Sequence, residues 1–322
     1  MAQSVSQVLI TEVVLRDGLQ DEPLTVPTHE KIRLARGLID AGVPSLEVGS
    51  FVSARRVPQM ADTAAVVSEL GPDTSATLHA LVFTERGAQQ AIAAGTRSVR
   101  LIVSASDGHS HANAGVGTWD ALDRLERCAE LLRPAGVAIE ACIATAFVCP
   151  FDGDTDPDRV AAIAARLDRL GARVVHLADT IGAANPSQLH ATIYSVRHRI
   201  PDLSLGLHLH NTYGMAAANA WEGLRMGVRR YDAALGGIGG CPFAPGASGN
   251  IATDDLVNLC HREGIATGID VAKLTELRDQ VRVMVGHPLP SALAAVPAAP
   301  AQLACAARTS SNVAANGPAV CR

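Results

Sequence analysis

The chain has 322 residues, 48% of them hydrophobic and 3% aromatic, with a formal net charge of −5 and a pI of about 6.1. That length and apolar content suffice to bury one large core, so a single α/β barrel with extensions accommodates the chain. No basic excess or supply of stacking rings points to a nucleic-acid partner, and no apolar run reaches the ~18 residues of a membrane span.

In chain order, Met1–Gln7 is short and polar and lacks the pattern of a signal peptide. Val8–Leu15, rich in β-branched residues, reads as the first strand. Thr28–Ala41 follows with helical spacing, a threonine N-cap candidate at Thr28 and a Gly42 stop. Further strands are expected at Ser45–Val48, Thr77–Val82, Ser98–Val103, Ala138–Ala144, Arg173–Ala178, Ser204–His208 and Arg230–Ala234. Helices are expected between them at Gln59–Leu70, Glu85–Ala94, Trp119–Arg133, Pro157–Leu170, Pro186–Arg199 and Gly214–Met226. About eight β-then-α units favour a closed parallel (β/α)8 TIM barrel over a doubly wound sheet. The barrel domain is expected over residues 1–290. Residues 291–322, rich in alanine and proline at first and then polar, read as a tail, either loose or folded over the barrel mouth. The seven cysteines are irregularly spaced and odd in number, which suits reduced thiols in a cytoplasmic protein.

Polar residues gather just after strand ends, where a barrel places its catalytic loops. Arg16-Asp17-Gly18-Leu19-Gln20 is the first such group. An aspartate there can ligate a metal, and an arginine can bind a carbonyl or carboxylate. His208-Leu209-His210 ends the seventh strand, and side chains at i and i+2 of a strand share a face, so both imidazoles can reach one ion. A glycine-rich run from Gly236 to Asn250 contains Cys241, a candidate for proton transfer, for nucleophilic attack or for an inert thiol. Asp17, His208, His210 and Asn250 form a mixed nitrogen and oxygen donor set, better suited to Mg²⁺ or Mn²⁺ than to structural zinc. Glu47 and Asp179 also stand at strand ends, where each can orient a ligand or take part in chemistry. His109-Ser110-His111 has metal-like spacing, but it lies in a polar segment read as a solvated loop.

With these segments in view, the chain resembles the 3-hydroxy-3-methylglutaryl-CoA (HMG-CoA) lyase family, within the metal-dependent TIM-barrel lyases and Claisen-type synthases. The resemblance rests on Arg16-Asp17-Gly18-Leu19-Gln20, Ser50-Phe51-Val52-Ser53, Asp179-Thr180-Ile181-Gly182, His208-x-His210, and Gly239-Gly240-Cys241-Pro242 through Asn250. It implies that Asp17, His208, His210 and Asn250 bind Mg²⁺ or Mn²⁺, and that Arg16 neutralises a thioester enolate. It further implies proton transfer by Cys241, active-site roles for Glu47 and Asp179, and substrate contacts from Arg16, Gln20 and Thr180. The implied reaction is retro-Claisen cleavage of HMG-CoA, or a close 3-hydroxyacyl-CoA such as citramalyl-CoA, to a keto acid and acetyl-CoA. A condensing acyltransferase of the isopropylmalate or homocitrate synthase type is the competing reading. The implied partners are an acyl-CoA and further copies of the chain, as a dimer or tetramer. Leu15, Ala178 and Asn211 depart from the family's usual proline, glycine and aspartate.

Overall fold

Eight short strands run parallel, and the last pairs with the first. In the computed structural model, residues 7–72, 74–240 and 249–296 are described. The barrel strands are β1 (Leu9–Glu12), β2 (Ser45–Ser50), β3 (Thr77–Val82), β4 (Ser98–Ser104), β5 (Ala138–Ala144), β6 (Val175–Asp179), β7 (Leu205–Leu209) and β8 (Arg230–Ala233). β1 pairs with β2 on one side and with β8 on the other, Leu9 lying opposite Arg230, so the sheet closes. An open doubly wound sheet would leave β1 and β8 unpaired with each other.

The helices between strands are α1 (Thr28–Asp40), α2 (Thr63–Leu70), α3 (Glu85–Ala93), α4 (Asp107–Ala114), α5 (Thr118–Leu132), α6 (Pro157–Arg169), α7 (Pro186–Arg199) and α8 (Ala216–Arg225). α9 (Thr253–Arg262) and α10 (Val271–Val285) follow β8. None is long and apolar enough to cross a membrane. Each strand buries one side-chain phase against these helices: Leu205, Leu207 and Leu209 of β7 belong to that core, as do Ile139, Ala141 and Ile143 of β5. Burial of each leucine or isoleucine contributes roughly 1.5–3 kcal/mol. The opposite phase points into the barrel.

Several expected boundaries shift for physical reasons. The first strand ends at Glu12 rather than Leu15, and Val14–Gly18 coils into a π-helical turn. Thr28 does not cap α1; the cap position is Pro27, with no side-chain hydrogen bond. The stretch expected as one helix over Gln59–Leu70 divides into a 3₁₀ turn, Pro58–Met60, and α2. His109 and His111 lie on α4, not in a loop, and His109 is buried. The body also continues past residue 290. Ser291 is buried, its amide donates to the Gly236 carbonyl at 3.0 Å, and Ala292 and Leu293 donate to the Asp255 carboxylate. The rest of the expected tail, from residue 297, lies outside the described residues.

Glu12 joins three elements. Its Oε1 accepts from the amides of Val14 and Leu235, each at 2.9 Å, and its Oε2 accepts from the Thr253 hydroxyl at 2.6 Å. Burial raises its pKa from 4.5 to about 7, the hydrogen bonds offsetting part of the effect. A raised folded-state pKa means that the fold binds the proton more tightly than the unfolded chain does. The associated stability is therefore complete below about pH 4.5 and is lost as pH rises through about 7. Glu12→Gln, which cannot ionise, is expected to lose less stability than the parent chain between pH 4.5 and 8, by on the order of 3 kcal/mol. Urea melts at both pH values measure this, and parallel pH dependences for the two proteins would exclude it.

Candidate metal centre and active site

The π-helical turn after β1 has a direct consequence for the site. On a strand, Arg16 and Asp17 would point to opposite faces. On the wider turn both are buried and both line the cleft at the barrel mouth. Arg16 pairs with Asp17 through Nη1 and with Glu47 through Nε. Burial opposes ionisation of Asp17, but Arg16 and the two facing histidines hold its carboxyl far below the usual carboxylate range.

His208 and His210 face the same carboxylate. His208 Nε2 lies 3.7 Å and His210 Nε2 3.4 Å from Asp17 Oδ2. Ligand atoms of Asp17, His208 and His210 all lie within 4.8 Å of one another, and all three residues are buried. The far side of each ring is fixed. His208 Nδ1 is 3.0 Å from Asp232 Oδ2, and His210 Nδ1 is 3.0 Å from the Asp179 carbonyl. Both contacts favour a proton on Nδ1 and leave Nε2 with its lone pair toward Asp17, the arrangement that metal-binding histidines adopt.

Asn250 completes the group. Its backbone bridges to His210, and Ile251 donates to the Leu209 carbonyl at 2.8 Å, so the segment after the glycine run is tied to the end of β7. Its Nδ2 donates to Asp17 Oδ2 at 2.8 Å and to the Ile238 carbonyl at 3.2 Å. Two acceptors on that side orient the amide and turn Oδ1 the other way. Oδ1 is buried without a hydrogen-bond partner among the described residues, as is His210 Nε2. Gly239, with φ of +124°, lets the chain pass here; a Cβ would come within 2.5 Å of Asn250 Nδ2.

The donor set suits a divalent cation in charge as well as in geometry. Three buried carboxylates, Asp17, Glu47 and Asp232, and the partly exposed Glu140 face two guanidinium groups, Arg16 and Arg100. Counted without the imidazoles, this leaves an excess of two negative charges. Asn250 Oδ1, buried without a hydrogen-bond partner among the described residues, and His210 Nε2, facing Asp17, supply the oxygen and nitrogen that such an ion takes.

The remaining expected residues divide. Gln20 and Thr180 line the same cleft as Arg16, Asp17 and the two histidines. Glu47 is fully buried between Arg16 and Arg100 and serves as their counter-ion. Asp179 is not among the residues that line the cleft. Its carboxylate is fully buried and accepts from the amides of Ala183 and Ala184. Burial raises its pKa to about 6, those bonds offsetting part of the rise. The reason is the strand period: Ala178 and Thr180 line the cleft, so Asp179 between them points to the other face. Its carbonyl is 3.0 Å from His210 Nδ1. Cys241 lies outside the described residues. Of the departures from the family pattern, Ala178 lines the cleft, Leu15 is core, and the Asn211 side chain accepts from the Ala216 amide at the start of α8.

Sequence reasoning missed a layer of charge beneath the cleft. His79 of β3, Arg100 of β4, Glu140 of β5, His176 of β6 and Asp232 of β8 all point inward and interact. Gly206 of β7 leaves room for this layer, since a Cβ there would meet the His176 ring at 2.5 Å. The signal was available: a charged residue at the inward phase of an otherwise apolar strand, as in Ser98-Val99-Arg100-Leu101. His109 and Asn113 of α4 and Cys142 of β5 also line the cleft. Burial pushes the Cys142 thiol up to about 12 and lowers His109 to about 4, so both are neutral at pH 7.

Fold and site together define a (β/α)8 barrel with an aspartate–dihistidine centre at the mouth formed by the strands' C-terminal ends. Comparison with known proteins agrees, and the chain belongs to the HMGL-like family, whose model matches residues 7–281. It is 44% identical over 294 residues to the (R)-citramalyl-CoA lyase of Chloroflexus aurantiacus, covering 88% of this chain and 93% of that protein. It is 38% identical over 273 residues to the mitochondrial hydroxymethylglutaryl-CoA lyase of Mus musculus, covering 85% and 84%. Among solved structures, an HMG-CoA lyase from Acinetobacter baumannii, in complex with coenzyme A and 3-methylmalate, superimposes with a TM-score of 0.86 at 36% identity. The match covers 93% of this chain and all of that one.

Proposed function

We propose that the chain is a divalent-metal-dependent carbon–carbon lyase that cleaves HMG-CoA to acetoacetate and acetyl-CoA. The observation that carries this reading is the buried Asp17, His208 and His210 group with Arg16 fixed beside it. Asp17, His208, His210 and Asn250 Oδ1 would hold Mg²⁺ or Mn²⁺. Such an ion supplies Lewis acidity that makes a substrate hydroxyl easier to deprotonate. The chain's own groups do the rest. Arg16, held by Glu47, presents a fixed positive charge to the thioester oxygen as the C–C bond breaks and the enolate forms. Gln20 and Thr180 line the approach to that point. The π-helical turn and the end of β7 keep the arginine and the histidines in register. Cys241, in the glycine run between Gly239 and Asn250, is assigned proton transfer on the family resemblance.

A second reading, cleavage of citramalyl-CoA to pyruvate and acetyl-CoA, is favoured by the relative at 44% identity. The two substrates undergo the same bond cleavage and differ by one methylene between the carbinol carbon and the free carboxylate. One methylene in a binding site discriminates by about 10–200-fold. The test is to incubate the protein with Mg²⁺ or Mn²⁺ and each thioester and compare kcat/KM from acetoacetate, pyruvate and acetyl-CoA release. HMG-CoA turned over with the higher kcat/KM supports the first reading, and the reverse order supports the second. If neither thioester releases acetyl-CoA, the lyase assignment fails.

A further inference from the structure

We propose that Arg100 is a positioning residue that sets His208 and Arg16 in register through one nitrogen atom. Arg100 Nη1 donates to Glu47 Oε2 at 2.9 Å and to Asp232 Oδ2 at 2.6 Å. Each carboxylate has its next contact in the site: Glu47 Oε1 accepts from Arg16 Nε, and Asp232 Oδ2 is 3.0 Å from His208 Nδ1. The limb that would carry the metal and the limb that would carry the enolate counter-charge therefore meet at Nη1. The guanidinium is itself anchored from the far side. Its Nη2 lies 3.2 Å from both Glu140 Oε2 and His176 Nε2, and His176 Nδ1 is 3.3 Å from Asp232 Oδ1. Only a planar fork reaches all these partners at once; an ammonium at the same place reaches fewer of them. Arg100 is 1% exposed and lines the cleft, at a level where barrels usually pack branched aliphatic side chains. An ion cluster replacing that packing, and linked on two sides to the site, is placed for orientation rather than for filling space.

This inference rests on the proposed metal-dependent reading, and its test separates the two. Full-length parent protein, Arg100→Lys and Arg100→Met are compared for folding by circular dichroism, for Mn²⁺ Kd by electron paramagnetic resonance without substrate, and for kcat and KM. Arg100→Met is expected to weaken Mn²⁺ binding and to lower kcat, each by about 10–100-fold, as loss of an outer support of a metal ligand does. Arg100→Lys is expected to recover part of both losses because it keeps the charge but not the fork. Combined with Arg16→Met, the kcat loss from Arg100→Lys should shrink, because one of the two limbs is already cut. A folded Arg100→Met with Mn²⁺ Kd and kcat both within about twofold of the parent overturns the proposal. If Arg100→Met does not fold, Arg100→Lys decides by the same two measurements. If the parent binds Mn²⁺ but cleaves neither thioester, the lyase reading fails, and the Mn²⁺ affinities alone still decide the role of Arg100.

Discussion

Arg16→Met is expected to lower kcat by about 10²–10³-fold, the cost of removing one preorganised group that stabilises a developing oxyanion. Mn²⁺ affinity should be unchanged or tighter. The sign comes from charge: Arg16 is a buried cation bonded to Asp17, so it repels an incoming cation and competes for that carboxylate. Methionine keeps comparable length and apolar volume without the charge. Asp17 still faces His208 and His210, so the donor group persists. Glu47 loses one counter-ion but keeps Arg100 at 2.9 Å, which limits the penalty of leaving a buried carboxylate unpaired. The measurements are single-turnover acetyl-CoA release and Mn²⁺ titration on the same preparation. Unchanged turnover would remove Arg16 from the chemistry. A Mn²⁺ Kd weakened more than about tenfold would reassign it to building the site.

His208→Ala is expected to do the reverse, weakening metal binding first and lowering turnover as a result. The variant removes one imidazole of the buried group and leaves a cavity where the ring stood. Loss of a direct ligand should exceed the roughly 10–100-fold that outer supports contribute, so Mn²⁺ Kd should rise by more than about 100-fold. Turnover should fall to background at Mn²⁺ concentrations that saturate the parent and recover in part at much higher concentrations. The fold should survive, because the core face of β7 is made by Leu205, Leu207 and Leu209. A variant that kept parent-like Mn²⁺ affinity would exclude His208 as a ligand.

Much of the fold is legible in the chain because barrel architecture repeats one local rule. Apolar patterning alone bounds Thr77–Val82 and Ala138–Ala144 correctly, and the other strands fall within a few residues of their expected ends. The first strand reads too long because Val13, Val14 and Leu15 have strand propensity, whereas Glu12 draws the Val14 amide back and starts the turn. That is a tertiary effect, since Glu12 also bonds Leu235 and Thr253, which follow the last strand more than 220 residues along the chain. α4 is hidden because its sequence, Asp107–Ala114, has little apolar periodicity; contacts from Thr118 and Arg159 to Asp107 help to fix its start. The His208 and His210 pair is readable because strand period places both on one face. The same period, applied to β6, turns Asp179 away from the mouth. The inward charges Arg100 and Asp232 are readable in kind but not in partnership, because their contacts join strands far apart in sequence.

The five-residue turn at Val14–Gly18 also makes the site unusually sensitive to chain length. A π-helical turn carries one more residue than an α-helical turn. Excising a single residue would tighten the coil and rotate the downstream residues by about 100° about the helix axis. Arg16 and Asp17, adjacent in the chain and dependent on that widened loop to face the same way, would then part company. Point substitutions in this stretch act on one group at a time, whereas a one-codon deletion acts on both. A library of such deletions should show a gap here, even where neighbouring surface loops tolerate losing a residue.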